Sequence, residues 1–365
     1  MEWKDKFNSF NSDKLLLHSD RLQAIADWLK GGTECPVPLE VSFDPIHNCN
    51  LFCQHCNSHR YLTEVNHRMS DLHILELIDY LGEWGVKAAC FGGGGEPTLH
   101  SKLKDAIELA HSYGMDNSLV TNGTLLTPEL IDTIVRCCRY VGVSIDSATS
   151  ETYRKGRKVD LFDVAINNVK LLSSVAKDTT CDVAFKFLIF NYNQHEIFEA
   201  CRLAKSLGVK DFHARPADFQ HQGMGNLKRL DNEYDIHFIN SEFKKCHSIE
   251  DESFRVFTVN HKFNDDFTPK RKNFTQCYAS PLVIQICADG NIYLCPDTRF
   301  LDFYVLGNHT NVKDIKKAWD SDWHKELVCT KGCAKCTSRC TYSPYNEICE
   351  RLFINNDDPM IKNLV

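Results

Sequence analysis

His47 to Cys56 reads His-Asn-Cys-Asn-Leu-Phe-Cys-Gln-His-Cys, placing Cys49, Cys53 and Cys56 in a C-x3-C-x2-C spacing. Three thiolates on one short loop can hold three irons of a cubane cluster and leave the fourth iron without a protein ligand. An open iron is what a cluster needs to bind and reduce a small molecule. The same loop also suits a structural zinc site closed by His55 or His59, or plain buried thiols.

One helix and one strand further along, Gly92 to Pro97 reads Gly-Gly-Gly-Gly-Glu-Pro after the apolar run Val86 to Phe91. Glycine lets backbone approach a neighbour or ligand closely. In this order the two motifs resemble the radical S-adenosylmethionine (radical SAM) superfamily. The resemblance implies that Cys49, Cys53 and Cys56 bind a [4Fe-4S] cluster whose open iron is chelated by SAM. It implies SAM contacts from Gly93, Gly94, Gly95, Glu96 and Pro97, with His55, Asn122, Ser144 and Arg157 as further cofactor-binding candidates. Thr121-Asn122-Gly123 and Ser144-Ile145-Asp146 equally suit turns and helix caps. Arg157, whose fork suits a carboxylate, competes with Arg154, Lys155 and Lys158 as the partner of the SAM carboxylate. The chemistry implied is reductive cleavage of SAM to a 5′-deoxyadenosyl radical that takes hydrogen from an unactivated C–H bond.

The elements that must position these residues alternate. β-rich runs at Leu39–Phe43, Val86–Phe91, Ser118–Thr121, Tyr140–Ile145, Val183–Phe190 and Asp211–Ala214 are separated by helical patterns at Leu72–Trp84, Leu103–Tyr113, Pro128–Cys138, Leu161–Val175 and His195–Leu207. Alternation of this kind predicts an α/β fold with a parallel sheet and outer helices. The resemblance sharpens it to a partial (β/α)6, TIM-like barrel. The site then sits at the C-terminal strand ends, where each motif falls. Residues 1–36 are expected to form an N-terminal helical extension, with a helical pattern over Leu15–Leu29 stopped by Gly31-Gly32. The barrel is expected over 37–215, and a polar, irregular connecting segment over 216–276.

Eight cysteines follow within residues 277–349: Cys277, Cys287, Cys295, Cys329, Cys333, Cys336, Cys340 and Cys349. Ile286–Tyr293 reads as a β-hairpin turning at Asp289-Gly290. The C-x12-G-x4-C order of Cys277, Gly290 and Cys295 resembles the SPASM module, or its shorter twitch form, which carries auxiliary [4Fe-4S] clusters. The second half departs from it, reading C-x3-C-x2-C-x3-C where SPASM has C-x2-C-x5-C-x3-C. One or two auxiliary clusters fit residues 277–365. With one, Cys277 and Cys295 take two ligands from the Cys333–Cys340 group; with two, the seven candidates Cys277, Cys295, Cys329, Cys333, Cys336, Cys340 and Cys349 leave one ligand site open unless Cys287 fills it. A zinc ribbon is the alternative. Trp319 and Trp323, on a helical pattern over Ile315–Leu327, read as core.

Hydrophobic residues make up 43% and charged residues 25% of the 365, ordinary for a globular protein. The net charge of −7 disfavours non-specific nucleic-acid binding. No apolar run reaches bilayer length, and the polar stretch Met1–Lys14 has no signal-peptide pattern, so a cytoplasmic location is expected. Eighteen cysteines in a reducing compartment point to metal binding over disulfides. Cys90, Cys137, Cys138, Cys181, Cys201 and Cys246 lack ligand spacing and read by default as buried hydrophobes, Cys137 and Cys138 within one helix, with Cys90 the exception to watch because it lies two residues before the glycine run.

Two substrate classes fit: a small polar metabolite such as a sugar or aminocyclitol, oxidised or epimerised, and a peptide or protein side chain, as in SPASM maturases. The short N-terminal segment, with no room for a peptide-recognition domain, favours the small metabolite. A non-catalytic iron–sulfur or zinc protein is the third reading. A flavodoxin- or ferredoxin-type reductant is the expected partner, and no residue is assigned as catalytic acid, base or hydrogen donor.

Overall fold

The computed structural model describes residues 15, 17–53, 55–59, 62, 66–217, 234–259, 274–329, 335–336 and 340–353. Cys333 lies outside the described residues. Seven parallel strands run in chain order: β1 Glu40–Asp44, β2 Ala88–Phe91, β3 Asp116–Thr121, β4 Cys138–Ser144, β5 Asp182–Ile189, β6 Asp211–Pro216 and β7 Arg255–Thr258. Beyond β1 the sheet continues into β8 Val283–Cys287, which pairs parallel to β1, and then into antiparallel β9 Asn291–Tyr293 and β10 Val305–Asn308. The strand order is β10-β9-β8-β1-β2-β3-β4-β5-β6-β7, and among the described residues no pairing joins β7 to β10. The result is the expected parallel-dominated partial barrel, extended at both edges.

Helices follow the strands and pack on the outer face. α1 is Ser19–Leu29, α2 Asp71–Trp84, α3 Leu103–Ser112, α4 Pro128–Cys137, α5 Ser150–Arg157, α6 Phe162–Ala176, α7 Ile197–Ser206 and α8 Ile236–His247. α9 Asp314–Trp319, α10 Asp322–Val328 and α11 Ser343–Phe353 follow. Local chemistry sets their ends. Ser70 caps α2 by accepting from the His73 N–H, and Gly85 closes it at φ 97°. Thr127 caps α4 ahead of Pro128 at the first helical position.

Side chains alternate along the strands, as a pleated backbone requires. Val41, Phe43, Phe91, Leu119, Phe185 and Phe212 are fully buried in the main core beneath the helices. Their neighbours Ser42, Cys90, Ser118, Tyr140, Lys186 and His213 are only half-buried, and line the inner face of the sheet.

Two readings change. The segment 216–276 is not wholly irregular: it contributes α8 and strand β7, whose apolar faces (Ile239, Phe243, Cys246; Val256, Phe257) are buried. Cys137 and Cys138 do not share a helix; α4 ends at Cys137, and Cys138 opens β4. Trp319 is fully buried and its Nε1 donates to the Pro36 carbonyl at 3.0 Å. Trp323 packs edge-on against Phe303. Among the described residues no helix is long and apolar enough to cross a membrane.

Candidate cofactor and cluster site

The loop leaving β1 carries Cys49, Cys53 and Cys56, and two later strand ends and one helix hold it. From β2, the Glu96 N–H donates to the Asn48 carbonyl at 2.8 Å. From β3, Asn122 Nδ2 donates to Asn50 Oδ1 at 2.8 Å and lies 4.0 Å from Cys49 Sγ, while Asn50 Nδ2 donates to Thr124 Oγ1 at 2.8 Å. From α5, Arg157 Nη1 donates to Cys53 Sγ at 3.1 Å, and the Arg157 carbonyl accepts from the Phe52 N–H at 3.0 Å.

These thiols feel one another. Burial pushes Cys49 up to about 11, and Glu96 and Cys53 add to the rise. Burial likewise pushes Cys56 up to about 12, with Cys53 and Cys49 raising it further. Sulfurs so placed resist ionising unaided, and the charge of bound iron supplies the missing compensation. The donor set therefore fits a cluster with three protein ligands.

The glycine run has a packing task beside it. Gly93 has φ 101°, and a Cβ there would stand 1.4 Å from Asp44 Oδ1. At Gly94 it would meet His47 Cδ2 at 2.7 Å, and at Gly95 the Asn48 carbonyl at 2.2 Å. The glycines let the β2 loop dock against the entrance of the cysteine loop. Glu96 is buried and accepts from Thr98 Oγ1 and Thr121 Oγ1, each at 2.6 Å, and from the Asn122 N–H at 2.7 Å. Burial raises its pKa despite these donors. Pro97 begins the short 3-10 turn that Glu96 caps.

Arg157 is committed within the protein. Its Nη2 donates to Asp146 Oδ2 at 2.6 Å and to the Ser144 carbonyl at 2.9 Å. Burial pushes Asp146 up, but Arg157 and His55 outweigh it and hold the carboxyl below its ordinary range. The His55 ring packs against Phe190 at 4.2 Å, tilted by 41°, with Nε2 3.5 Å from Asp146, and burial lowers its pKa. His55, Asn122, Ser144 and Arg157 thus gather around the cysteine loop at the strand ends.

A second set of thiols lies elsewhere. Cys277, Cys295, Cys336 and Cys340 line one small cavity with Leu294, Thr298 and Tyr342. Burial raises the Cys295 thiol, and Asp297, Cys336 and Cys277 raise it further. Cys340 is raised by burial and then by Cys277, Asp297 and Cys336. Four converging thiols are the complement of one closed cubane cluster. Cys329 ends α10 outside this cavity. Cys349 packs with Leu22, Ile25 and Leu282 in an apolar cluster. Cys287 does not fill an eighth ligand place there: its Sγ faces Asp44 Oδ2 at 3.7 Å and accepts from Gln285 Nε2 at 3.2 Å.

Sequence reasoning missed the buried junction under the glycine loop. Asp44, His47 and Cys287 bring ligand-type atoms within 4.8 Å of one another, and Arg299 Nη1 stands 3.6 Å from Asp44. Burial lowers His47 to about 4, so the ring is neutral. The Arg299 guanidinium offsets part of the cost of burying Asp44, yet burial still holds that carboxyl above its ordinary range. Nothing in the local sequence pairs positions 44 and 287; β1 and β8 meet only in the folded sheet.

Residues 44–204 match the family model described as the Radical SAM superfamily. The chain is 28% identical over 215 residues to the antilisterial bacteriocin subtilosin biosynthesis protein AlbA of Bacillus subtilis, a match covering 57% of this chain and 46% of AlbA. The chain thus spans about half the length of that relative. It is 25% identical over 310 residues to the mycofactocin maturase MftC of Mycobacterium tuberculosis, covering 82% of this chain and 75% of MftC. The crystal structure of Streptococcus suis SuiB bound to S-adenosylmethionine superposes with a TM-score of 0.67 at 14% identity, covering 89% of this chain and 76% of SuiB. SuiB has also been solved bound to a precursor peptide, SuiA. Residues 44–204 thus carry a radical SAM domain, and the partial barrel with a cysteine-rich C-terminal region is similar in fold to SuiB.

Proposed function

Since the chain carries a radical SAM domain over residues 44–204, we propose that it is an enzyme that modifies a peptide by hydrogen abstraction at carbon. The observation that carries this reading is the match to a maturase over 82% of the chain. The match to a bacteriocin biosynthesis protein and the peptide-bound SuiB structure support it. They favour the peptide over the small polar metabolite that the sequence alone put first. The argument from a short N-terminal segment falls with that reading.

Cys49, Cys53 and Cys56 would hold the SAM-binding cluster, and Cys277, Cys295, Cys336 and Cys340 one auxiliary cluster. The loop Gly93–Pro97 with Asn122, Ser144 and His55 would border SAM. Cluster and SAM together supply hydrogen abstraction from an unactivated C–H bond. The chain's own residues orient and shield. Arg157 steadies the Cys53 sulfur with a charged donor. Neutral His55, packed against Phe190, closes that side of the loop to water. Glu96 ties the β2 loop to β3.

We assign 1–36 as an N-terminal extension, 37–215 as the barrel, 216–276 as its connection and 277–365 as the auxiliary cluster domain. A cytoplasmic location and a flavodoxin- or ferredoxin-type reductant go with thiol-held, reducible clusters.

The test is isotope transfer. The anaerobic enzyme is given SAM, dithionite and either deuterated peptides encoded beside its gene or deuterated sugars. Deuterium is expected in 5′-deoxyadenosine from a peptide. Transfer from a sugar alone overturns the reading.

A further inference from the structure

Two cations on the inner face of the sheet have no role in the site described above. Lys186 lies in β5 and Arg215 in β6. The register pairs Lys186 with His213 and Leu188 with Arg215. Residues two apart project to the same face, so both cations point inward. Both are half-buried, while Phe185, Phe187 and Ala214, on the helix-facing side, are fully buried. On β4, Ser144 is the register partner of Lys186.

The lysine has a built channel. A Cβ on Gly142 would stand 2.7 Å from Lys186 Cδ, with Tyr140 atoms at 3.2 and 3.3 Å from the same point. Glycine at position 142 leaves β4 clear for the aliphatic stem. Among the described residues Lys186 has no carboxylate partner. Asp146 acts on it from a distance, but Asp146 is taken by Arg157 at 2.6 Å. Burial, then Arg215, lowers Lys186 to about 8, so it stays largely protonated at neutral pH. A half-buried cation held beside another cation is a cost that a bound anion removes.

We propose that Lys186 and Arg215 form an anion subsite inside the barrel that receives a carboxylate of the peptide substrate. The carboxylate belongs to an Asp or Glu side chain or to the peptide's C-terminus. The proposal rests on the peptide reading above and deepens it. Ser144 borders the cofactor site and is one strand away, about 4.8 Å, so the residue bearing the carboxylate is the reacting residue or its neighbour. Lys186 and Arg215 are then specificity-determining residues.

The test is trace acetylation of the anaerobic holoenzyme, with the rate at Lys186 read by mass spectrometry against surface lysines. The probes are N-acetylaspartate amide for a side-chain carboxylate, N-acetylalanine for a terminal one, N-acetylasparagine amide as neutral control, and inorganic pyrophosphate. Either carboxylate probe should slow Lys186 selectively, by about tenfold when it stands about ten times above its Kd; the more effective probe identifies the source. N-acetylasparagine amide should not slow it. Arg215→Gln should abolish the protection while Lys186 still reacts, which shows the fold intact. Protection by pyrophosphate alone overturns the carboxylate assignment and with it the peptide reading, in favour of a phosphorylated substrate. Protection by no anion overturns the subsite and leaves the peptide reading standing.

Discussion

Gly95 has Asn48 against it, one residue from the first cysteine, so an added methyl would meet the Asn48 carbonyl at 2.2 Å. That atom is backbone and cannot swing aside. Gly95→Ala is therefore expected to disturb the cysteine loop itself, lowering iron content and SAM affinity together. Iron assay and calorimetry check this; full iron with weakened SAM binding would mean that the glycine faces ligand instead. Arg157 makes a different demand. It neutralises buried Asp146, so Arg157→Met leaves an uncompensated carboxylate and should cost about 3–5 kcal/mol, read by urea unfolding of the cluster-free protein. Asp146 is held below its ordinary pKa. Its contribution is present above the unfolded carboxyl value, near 3.9, and is lost as pH falls through the folded one. The gap between parent and variant should therefore narrow below about pH 4. An unchanged gap would assign the loss to packing.

Between β7 and α11 the auxiliary cavity is assembled from elements distant in sequence. Cys277 precedes β8, Cys295 follows β9, and Cys336 and Cys340 come after α10. A chain lacking Cys49, Cys53 and Cys56 is expected to retain about four irons. Adding Cys295→Ser or Cys340→Ser should remove them, whereas Cys329→Ser and Cys349→Ser should not. About eight irons would show a second auxiliary cluster, and zinc without iron would restore the zinc ribbon. The six strands β1 to β6 were legible because buried parallel strands are short apolar runs between amphipathic helices. The cysteine loop was legible because its ligands are local. α8 and β7 were not read: α8 does carry the helical spacing Ile236, Ile239, Phe243 and Cys246, but it sits in an otherwise polar stretch of the chain, and β7 has four residues. Which tail cysteines converge was not legible either, since spacing cannot report contacts between separate elements. Lys186 did leave a signal, a lone cation inside the apolar run Val183–Phe190, and the period of two aims it inward.

At the scale of the whole molecule, the C-terminal region is a wall of the barrel. β1 lies between β2 and β8, with Glu40 to Asp44 registered against Val283 to Cys287. Arg299 reaches back to Asp44. Trp319 bonds the Pro36 carbonyl, and the Cys35 N–H donates to Asp320 Oδ1 at 3.0 Å. α1 packs through Leu22 and Ile25 against Tyr278, Leu282 and Cys349. The strand that carries the cysteine loop is therefore supported on one side by residues beyond 282. Removing them would open the β1 edge, leave Asp44 without Arg299, and uncover Ile25 and Trp28. An open apolar strand edge is a template for association. A fragment ending before Val283 is expected to aggregate and to lose iron at Cys49, Cys53 and Cys56, although it retains those cysteines and the glycine run. Size-exclusion chromatography and iron assay of the fragment beside the full chain decide the matter. A monomeric fragment with its iron intact would show that the barrel is self-sufficient and the shared sheet incidental.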